Sequence, residues 1–265
     1  MTAIRRLGGR VVVDVPTAAL LNRDVEVVPD TTALARAVDV LLVFGGDGTM
    51  LRVGRETAGS RTPIFGINTG HLGFLTGANL DQMPTALNQI AGGSFQITNR
   101  SVIEARGRAG GRRFRILALN DIVVSRGASS RVVELEVKVN GELLTRYHAD
   151  GLIIGTPTGS TAYSLSAGGA IVSPDAEVFT LTPICPHTLS NRSVIVSLSS
   201  KLEVKVLNDI PATILTADGQ VQLELGGGVV VSLRRSRASV RLLQLEGHSF
   251  FGTLRAKLRW SGSAV

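Results

Sequence analysis

The amino-acid sequence predicts an α/β domain built on a parallel sheet, followed by an all-β sandwich domain. One change of texture and one boundary signal carry this reading. Short apolar strands alternate with helix-like stretches up to about residue 92, and short strands with Gly and Asn turns take over from about residue 94. Gly92-Gly93 stands between the two patterns. The first domain is therefore assigned to residues 1–93 and the second to 94–265, with residues 247–265 expected to pack back on the first.

Taken in order, Thr2–Gly9 reads as the last turns of a helix closed by glycine. The α/β domain is accordingly expected to lack its first strand and helix. Val11–Val15 and Val25–Val28 read as strands, Thr31–Val38 as a short helix, and Asp39–Phe44 as a strand ending in Gly-Gly-Asp-Gly. Thr49–Ala58 reads as a helix, Pro63–Asn68 as a strand and Leu80–Ile90 as a helix. Beyond the boundary, strands are expected at Ser101–Arg108, Arg112–Leu119, Asp121–Ser125 and Val132–Val139, with a hairpin turn at Asn140-Gly141. Further strands are expected at Leu152–Gly155, Val194–Leu198, Leu202–Leu207, Ile214–Ala217, Val221–Leu225, Val229–Leu233 and Val240–Leu245. One helix, Ala162–Gly168, interrupts them after a Gly-Ser-Thr turn.

Composition narrows the function classes. Apolar residues make up 44% of the 265, yet no run approaches the roughly 18 needed to span a membrane. Arg5, Arg6 and Arg10 precede an apolar stretch that Asp14 and Pro16 cut too short for a secretory signal. A soluble, cytoplasmic protein without a membrane partner is expected. The single cysteine, Cys185, excludes an intrachain disulfide and a Cys-based zinc site. The four histidines (His71, His148, His187, His248) are too scattered for a metal-ligand motif. The net charge of +7 attracts polyanions, but only 4% of residues are aromatic and the arginines are spread out. This pattern favours phosphate ligands over nucleic acid.

The sharpest motif is Phe44-Gly45-Gly46-Asp47-Gly48-Thr49-Met50-Leu51, at the end of an apolar strand and the start of a helix. Glycines let the backbone approach a ligand, and a new helix offers unpaired N–H groups to a phosphate. Gly45, Gly46, Gly48 and Thr49 are therefore candidate phosphate-binding residues, with Arg52 one turn later adding charge and Asn68 at the end of the next strand. The alternative for this loop is a tight turn with Asp47 as a solvated cap. No Gly-Lys-Ser/Thr follows, which excludes a Walker A loop. No His-Arg-Asp or Asp-Phe-Gly occurs, which excludes the protein-kinase set. From Thr156 to Ser166 there are six hydroxyl side chains besides Tyr163, at a turn and helix start. Such groups suit phosphate and ribose oxygens, although a Ser/Thr-rich capped turn would look the same. Tyr163 can stack on a base or pack in a core, and His148 alone would more often be a surface histidine.

Gly-Gly-Asp-Gly-Thr resembles the superfamily shared by NAD kinases, diacylglycerol and sphingosine kinases, and phosphofructokinases. Three longer segments select among these. Gly66–Thr76 looks like the second NAD kinase motif, Asn120-Asp121 like the family's Asn-Glu/Asp pair, and Asp150–Gly169 like its long Thr-Pro-Thr-Gly-Ser-Thr-Ala-Tyr segment. Pro186-His187-Thr188-Leu189 and Leu254–Trp260 are also similar, so the resemblance runs from about residue 39 to the C-terminus.

The resemblance implies a Rossmann-like first domain and a phosphotransferase that places a phosphoryl group on the adenosine ribose 2′-hydroxyl of NAD. ATP or another polyphosphate would be the donor, with Mg²⁺ or another divalent cation. It implies Asp47 as catalytic acid/base, beside Gly48 and Phe74. It places Asn120, Asp121, Arg131, His148, Asp150, Thr161, Ala162, Tyr163, Ser164, Leu165, Ser166 and Gln220 around the dinucleotide. It also implies a homodimer or homotetramer whose pocket is shared, the backbone at Cys185 coming from a neighbouring subunit. A non-catalytic NAD(P) sensor and a lipid kinase remain as alternatives; the lipid kinases lack the long segment.

Overall fold

The computed structural model describes residues 1–21, 25–70, 73–187, 192–208 and 213–260. They divide into two compact units: residues 1–99 with the described residues from 239 onward, and residues 100–238.

The first unit contains α1 (Thr2–Arg6), β1 (Val12–Asp14), α2 (Val15–Ala18), β2 (Glu26–Val28), α3 (Thr31–Ala37), β3 (Leu41–Phe44), α4 (Asp47–Glu56), β4 (Ile64–Asn68), the two-residue β5 (Ala78–Asn79) and α5 (Met83–Ala91). β1 and β2 pair in parallel as a separate two-stranded sheet. Side-chain caps start the next helical segments. The Asp14 carboxylate accepts from Thr17 N–H at 3.0 Å and that of Asp30 from Ala33 N–H at 2.8 Å.

β4 is the central strand, parallel to β3 and to β5. All five of its residues are buried, which is why it reads as the unbroken run Ile-Phe-Gly-Ile-Asn: covered on both faces, it needs no polar alternation. Phe65, Ile67, Ala78, Ala86 and Leu243 form the core around it. Helix α4 leaves β3 through Gly45 and Gly46 and buries Met50, Leu51, Val53 and Gly54. That apolar stripe fixes the direction of the helix and keeps its first turn at the carboxyl end of β3.

Strand β6 (Phe95–Ala109) begins in the first unit and ends in the second. The second unit continues with β7 (Arg112–Ala118), β8 (Asp121–Ser125), β9 (Val133–Val139), β10 (Glu142–Ala149), β11 (Gly151–Gly155), α6 (Tyr163–Ser166), β12 (Val178–Ile184), β13 (Val194–Ser197), β14 (Leu202–Val206), β15 (Thr213–Ala217) and β16 (Val221–Leu225). Strand β17 (Val230–Leu245) returns to the first unit, where α7 (Phe250–Leu258) follows. One sheet of the second unit has the order β13-β12-β11-β8-β15-β16, and the other runs β10-β9-β14-β17. Their neighbours are antiparallel throughout. Between them lies a core that includes Leu135, Tyr147, Ile154, Phe179, Leu215 and Val231. Strands with one covered face alternate, as in Leu-Glu-Val-Lys-Val of β14, where every second residue is buried.

On β6, Glu104 is only 3% exposed and is ion-paired to Arg106, Arg115 and Arg234 at 2.9, 2.5 and 2.7 Å. Burial pushes its carboxyl up, but the hydrogen bonds from Arg115, Arg106 and Arg234 outweigh that and hold it at about 2.

Several features differ from the sequence expectation, which had no counterpart for α2, β5 or α7. β17 is one 16-residue strand, not two, because Arg234–Arg237 and Ser239 continue extended although they are polar. β10 and β12 went unpredicted: β10 opens on exposed Glu142, Leu143 and Leu144, and β12 carries Pro183. The helix expected over 162–168 is a single turn, Tyr163–Ser166, preceded by a 3₁₀ turn at Thr158–Thr161. The unit boundaries fall at 99/100 and 238/239, inside two long strands, where no change of composition marks them.

Candidate functional site

In the first unit most of the predicted site residues gather where β3 meets α4. Gly45 has φ +148, and its N–H donates to Ile67 O at 3.0 Å, tying the loop to the end of β4. A side chain on Gly45 would collide with Thr49. Gly46 is the N-cap, so Asp47, Gly48 and Thr49 form the first turn of α4. Asp47 is half-buried. Its Oδ2 accepts from Phe74 N–H at 2.8 Å and its Oδ1 from Leu75 N–H at 3.0 Å. Gly73 completes the cradle, since a Cβ there would overlap the Asp47 carboxylate. Two amides and one absent side chain thus set the orientation of the carboxylate, with lone pairs to spare on both oxygens.

The segment behind Asp47 is held in turn by Asn68. This side chain is 3% exposed; its Oδ1 accepts from Gly70 N–H at 2.6 Å, and its Nδ2 donates to Thr76 Oγ1 at 3.3 Å. Thr76 Oγ1 also accepts from Gly73 N–H at 2.9 Å. Asn68, predicted to touch phosphate, is thus buried and bonded within this loop. Arg52, predicted to add charge to the phosphate loop, instead directs Nη1 to Glu56 Oε1 at 3.0 Å, one turn further along α4. His71 and Leu72 of the second motif lie outside the described residues.

In the second unit the predicted dinucleotide residues fall at the two ends of β11, which is about 13 Å long at roughly 3.3 Å per residue. At the Gly155 end, Gly155 pairs with Asp121. Thr156 N–H donates to Asn120 O at 2.8 Å and Thr156 Oγ1 to Leu119 O at 2.6 Å. Gly159 packs so closely on the Asn120 backbone that a Cβ would not fit. Asn120 Oδ1 is buried without a hydrogen-bond partner among the described residues.

The 158–166 segment follows on the same end. Of its six hydroxyl residues counted from Thr156, three are fully buried and spent on the protein. Thr156 binds Leu119, Ser160 donates to Pro157 O at 2.7 Å, and Ser164 shares a hydrogen bond with Thr182 at 3.0 Å. Tyr163 and Ser166 are exposed, and Thr161, Ala162 and Leu165 are partly so. The expected helix N-terminus for phosphate is therefore reduced to one turn with exposed and half-exposed groups around it. Gln220 is exposed in the β15–β16 turn, which joins this end through the pairing of Ala217 with Ile122.

The other group lies at the Gly151 end, where Gly151 pairs with Ser125 and Ile184. Asp150 is ion-paired to Arg126 at 2.7 Å. Cys185 is exposed with φ +44, and His187 N–H donates to His148 O at 2.9 Å. His148 is half-exposed, with Nδ1 3.8 Å from Glu134 Oε1. Arg131 is exposed in the loop that leaves this end of β8. Thr188 and Leu189 of the neighbouring motif lie outside the described residues. The structure thus brings Asn120, Asp121, Thr161–Ser166 and Gln220 together, and sets Arg131, His148, Asp150 and Cys185 apart from them.

Two contributors escaped sequence reading. Gly73 stood inside a recognised motif without a role of its own. Asp218 stood in an Asp-Gly turn between alternating strands, a signal that reads only as a hairpin. Asp218 is 8% exposed and accepts from the N–H groups of Leu119, Asn120 and Asp121. Its neighbour Asp121 is 4% exposed; burial first, and the Asp218 charge second, push its carboxyl up to about 7.

Residues 20–95 match the family model for the ATP-NAD kinase N-terminal domain, and residues 119–245 that for the ATP-NAD kinase C-terminal domain. An NAD kinase from Desulforamulus reducens is 45% identical over 230 residues, 86% of this chain and 80% of that protein. One from Nitrosomonas europaea is 41% identical over 256 residues, 96% of this chain and 86% of that protein. Among solved structures, yeast NADH kinase complexed with NADH superposes with a TM-score of 0.88 at 28% identity, covering 99% of this chain and 83% of that one. An NAD kinase from Archaeoglobus fulgidus in complex with ATP gives 0.75 at 29% identity, covering 94% and 97%. With both domain models matched in chain order and the relatives aligned over most of its length, the chain belongs to the NAD kinase family.

Proposed function

We propose that this protein is an NAD kinase that transfers a phosphoryl group from ATP or another polyphosphate to the 2′-hydroxyl of the adenosine ribose of NAD. The observation that carries the proposal is the Asp47 carboxylate, held by the Phe74 and Leu75 amides beside the glycine loop. Phosphoryl transfer proceeds through a loose transition state, so the attacking hydroxyl keeps its proton until late. Asp47 orients that hydroxyl and takes the proton as the new P–O bond forms, while the bond to the leaving phosphate breaks. Gly45, Gly46, Gly48 and Thr49 present the backbone of the first turn of α4 to the donor's phosphates.

Among the described residues, no three His, Cys, Asp or Glu side chains come together as a metal-binding group. Beside the glycine loop Asp47 offers a partly open carboxylate, which suits a divalent cation that arrives on the donor's phosphates and keeps most of its water. That ion, Mg²⁺ by preference, supplies charge neutralisation. The protein supplies the orienting groups.

In the second unit, Asn120, Asp121, Thr161, Ala162, Tyr163, Ser164, Leu165, Ser166 and Gln220 form one side of the NAD site. Arg131, His148, Asp150 and Cys185, at the other end of β11, serve the site of a second copy of the chain. The active form is therefore a homodimer or homotetramer. It works in the cytoplasm, where NAD and ATP are both present, and no helix among the described residues is long and apolar enough to cross a membrane.

The test is NADP formation by the purified protein from NAD and Mg²⁺, with ATP and inorganic polyphosphate as separate donors. NADP with either donor establishes the reaction and names the donor. NAD binding without NADP from any donor would replace the enzyme by a sensor.

A further inference from the structure

The turn between β15 and β16 is bound to the junction of β7 and β8 by four hydrogen bonds. Asp218 Oδ2 accepts from Leu119 N–H at 3.0 Å, and Asp218 Oδ1 accepts from Asn120 N–H at 2.7 Å and Asp121 N–H at 3.2 Å. The Asp218 N–H donates to Asp121 O at 3.0 Å. Three successive amides converging on one side chain need an acceptor on both of its branches and no donor, which among uncharged and charged side chains only a carboxylate offers. Asp218 reaches this geometry at φ +50, a left-handed conformation that Asp and Asn enter more readily than other non-glycine residues.

The opposite side of the same junction is closed by Thr156, through its N–H to Asn120 O and its hydroxyl to Leu119 O, and by Gly159 against the Asn120 backbone. The backbone that carries the Asn120 and Asp121 side chains is thus gripped from both sides.

We propose that Asp218 is a positioning residue for the dinucleotide: it sets the backbone from which Asn120 and Asp121 meet NAD, without touching the substrate itself. This rests on the assignment of Asn120 and Asp121 to the NAD site. Removing the carboxylate frees three amides, and the junction then samples orientations that do not match the ribose. The effect falls on NAD affinity, because the phosphate loop belongs to the other unit and keeps its own hydrogen bonds.

The experiment compares the full-length wild type with Asp218→Gly, Asp218→Asn and Asn120→Ala. It reads KM for NAD, KM for ATP, kcat and the melting temperature. Asp218→Gly accepts the positive φ and deletes every acceptor. Its KM for NAD is expected to rise by roughly ten- to a hundredfold, the scale of one or two lost buried hydrogen bonds, with KM for ATP and kcat within about threefold. Asp218→Asn keeps one acceptor oxygen but sets its NH₂ against at least one of the three amides, and is expected to raise KM for NAD several-fold, less than Asp218→Gly.

An unchanged KM for NAD in Asp218→Gly overturns the proposal. So does an equal loss in both KM values and kcat together with a fallen melting temperature, which marks a merely structural turn. If Asp218→Gly does not fold, Asp218→Asn decides: a several-fold rise in KM for NAD alone supports positioning, and a wild-type value overturns it. Asn120→Ala separates the two levels. A raised KM for NAD there with none in Asp218→Gly sinks positioning alone, whereas no change in either sinks the site assignment as well.

Discussion

Asp47 and Asp218 are each a carboxylate that gathers backbone amides from a segment far away in sequence, yet their surroundings differ. Asp47 is half-buried at the start of a ten-residue helix and accepts two amides. Asp218 is 8% exposed in a hairpin turn and accepts three. The first keeps lone pairs open beyond the two amides it accepts. The second is saturated by the protein, so it can only shape what surrounds it. The difference teaches that a carboxylate's role follows from how many of its acceptor sites the fold leaves open.

The widest gap between the two units is expected from Asp47→Asn, which removes the proton acceptor and should lower kcat by roughly 10²–10⁴-fold. Calorimetric NAD binding should stay within a few-fold of wild type, and a variant with near-wild-type turnover would remove Asp47 from the chemistry. Gly73→Ala comes next. Its Cβ displaces the Asp47 carboxylate, and a misplacement of about 1 Å is expected to cost on the order of a hundredfold in kcat. Steady-state kinetics that match the wild type would show that the loop yields without moving Asp47.

Two effects belong to the buried carboxyls of the second unit. Glu104 sits at about 2, below its ordinary 4.5, so its stabilisation is present above about pH 4.5 and lost as pH falls toward 2. Glu104→Gln should therefore lower unfolding free energy by roughly 2–3 kcal/mol at pH 7, less than a fully buried pair because the three arginines can rehydrate. Urea denaturation at pH 7 and pH 3 should show the difference shrinking at the lower pH. Asp121 has the opposite sign. Its carboxyl is raised from 3.8 to about 7, so the native state holds a proton that the unfolded chain has released. Its contribution is full below about pH 4 and declines as pH rises through 7. Asp121→Asn should flatten that decline, worth on the order of 2 kcal/mol, in melting temperatures measured from pH 5 to 8. A profile as steep as wild type would assign the decline to other groups.

The smallest effect is expected at Arg52, whose guanidinium serves Glu56 in a half-exposed i, i+4 pair. Arg52→Ala should cost about 0.5 kcal/mol or less in stability and leave KM for ATP within about threefold. A tenfold rise would restore Arg52 to the phosphate loop.

Much of the architecture was legible because local rules and tertiary burial agree. The run Ile64–Asn68 is apolar because β4 is buried on both faces, and Asn140-Gly141 turns a hairpin because both residues have positive φ, 53° and 89°. Where the two disagree, reading failed. Leu143 and Leu144 are exposed on β10, Pro183 sits inside β12, and polar Arg234–Arg237 continue a strand. In the site, the glycine loop and the Thr156–Ser166 segment stood out by residue type. Their hydroxyls could not be sorted into buried and open ones, because that depends on which face packs on β11 and β12.

The sequence by itself determined the order of elements, the parallel and antiparallel halves, and the place of Asp47 at a strand–helix junction, since propensity, periodicity and glycine placement act over a few residues. Only the tertiary structure decided that Gly73 and the 74–75 amides aim Asp47, and that Arg52 faces Glu56. It alone separated the predicted dinucleotide residues to opposite ends of β11 and bonded Asp218 to a junction 97 to 99 residues earlier. Those decisions rest on hydrogen bonds and close packing between segments distant in the chain, and no local pattern encodes which distant partner a carboxylate or a missing side chain will meet.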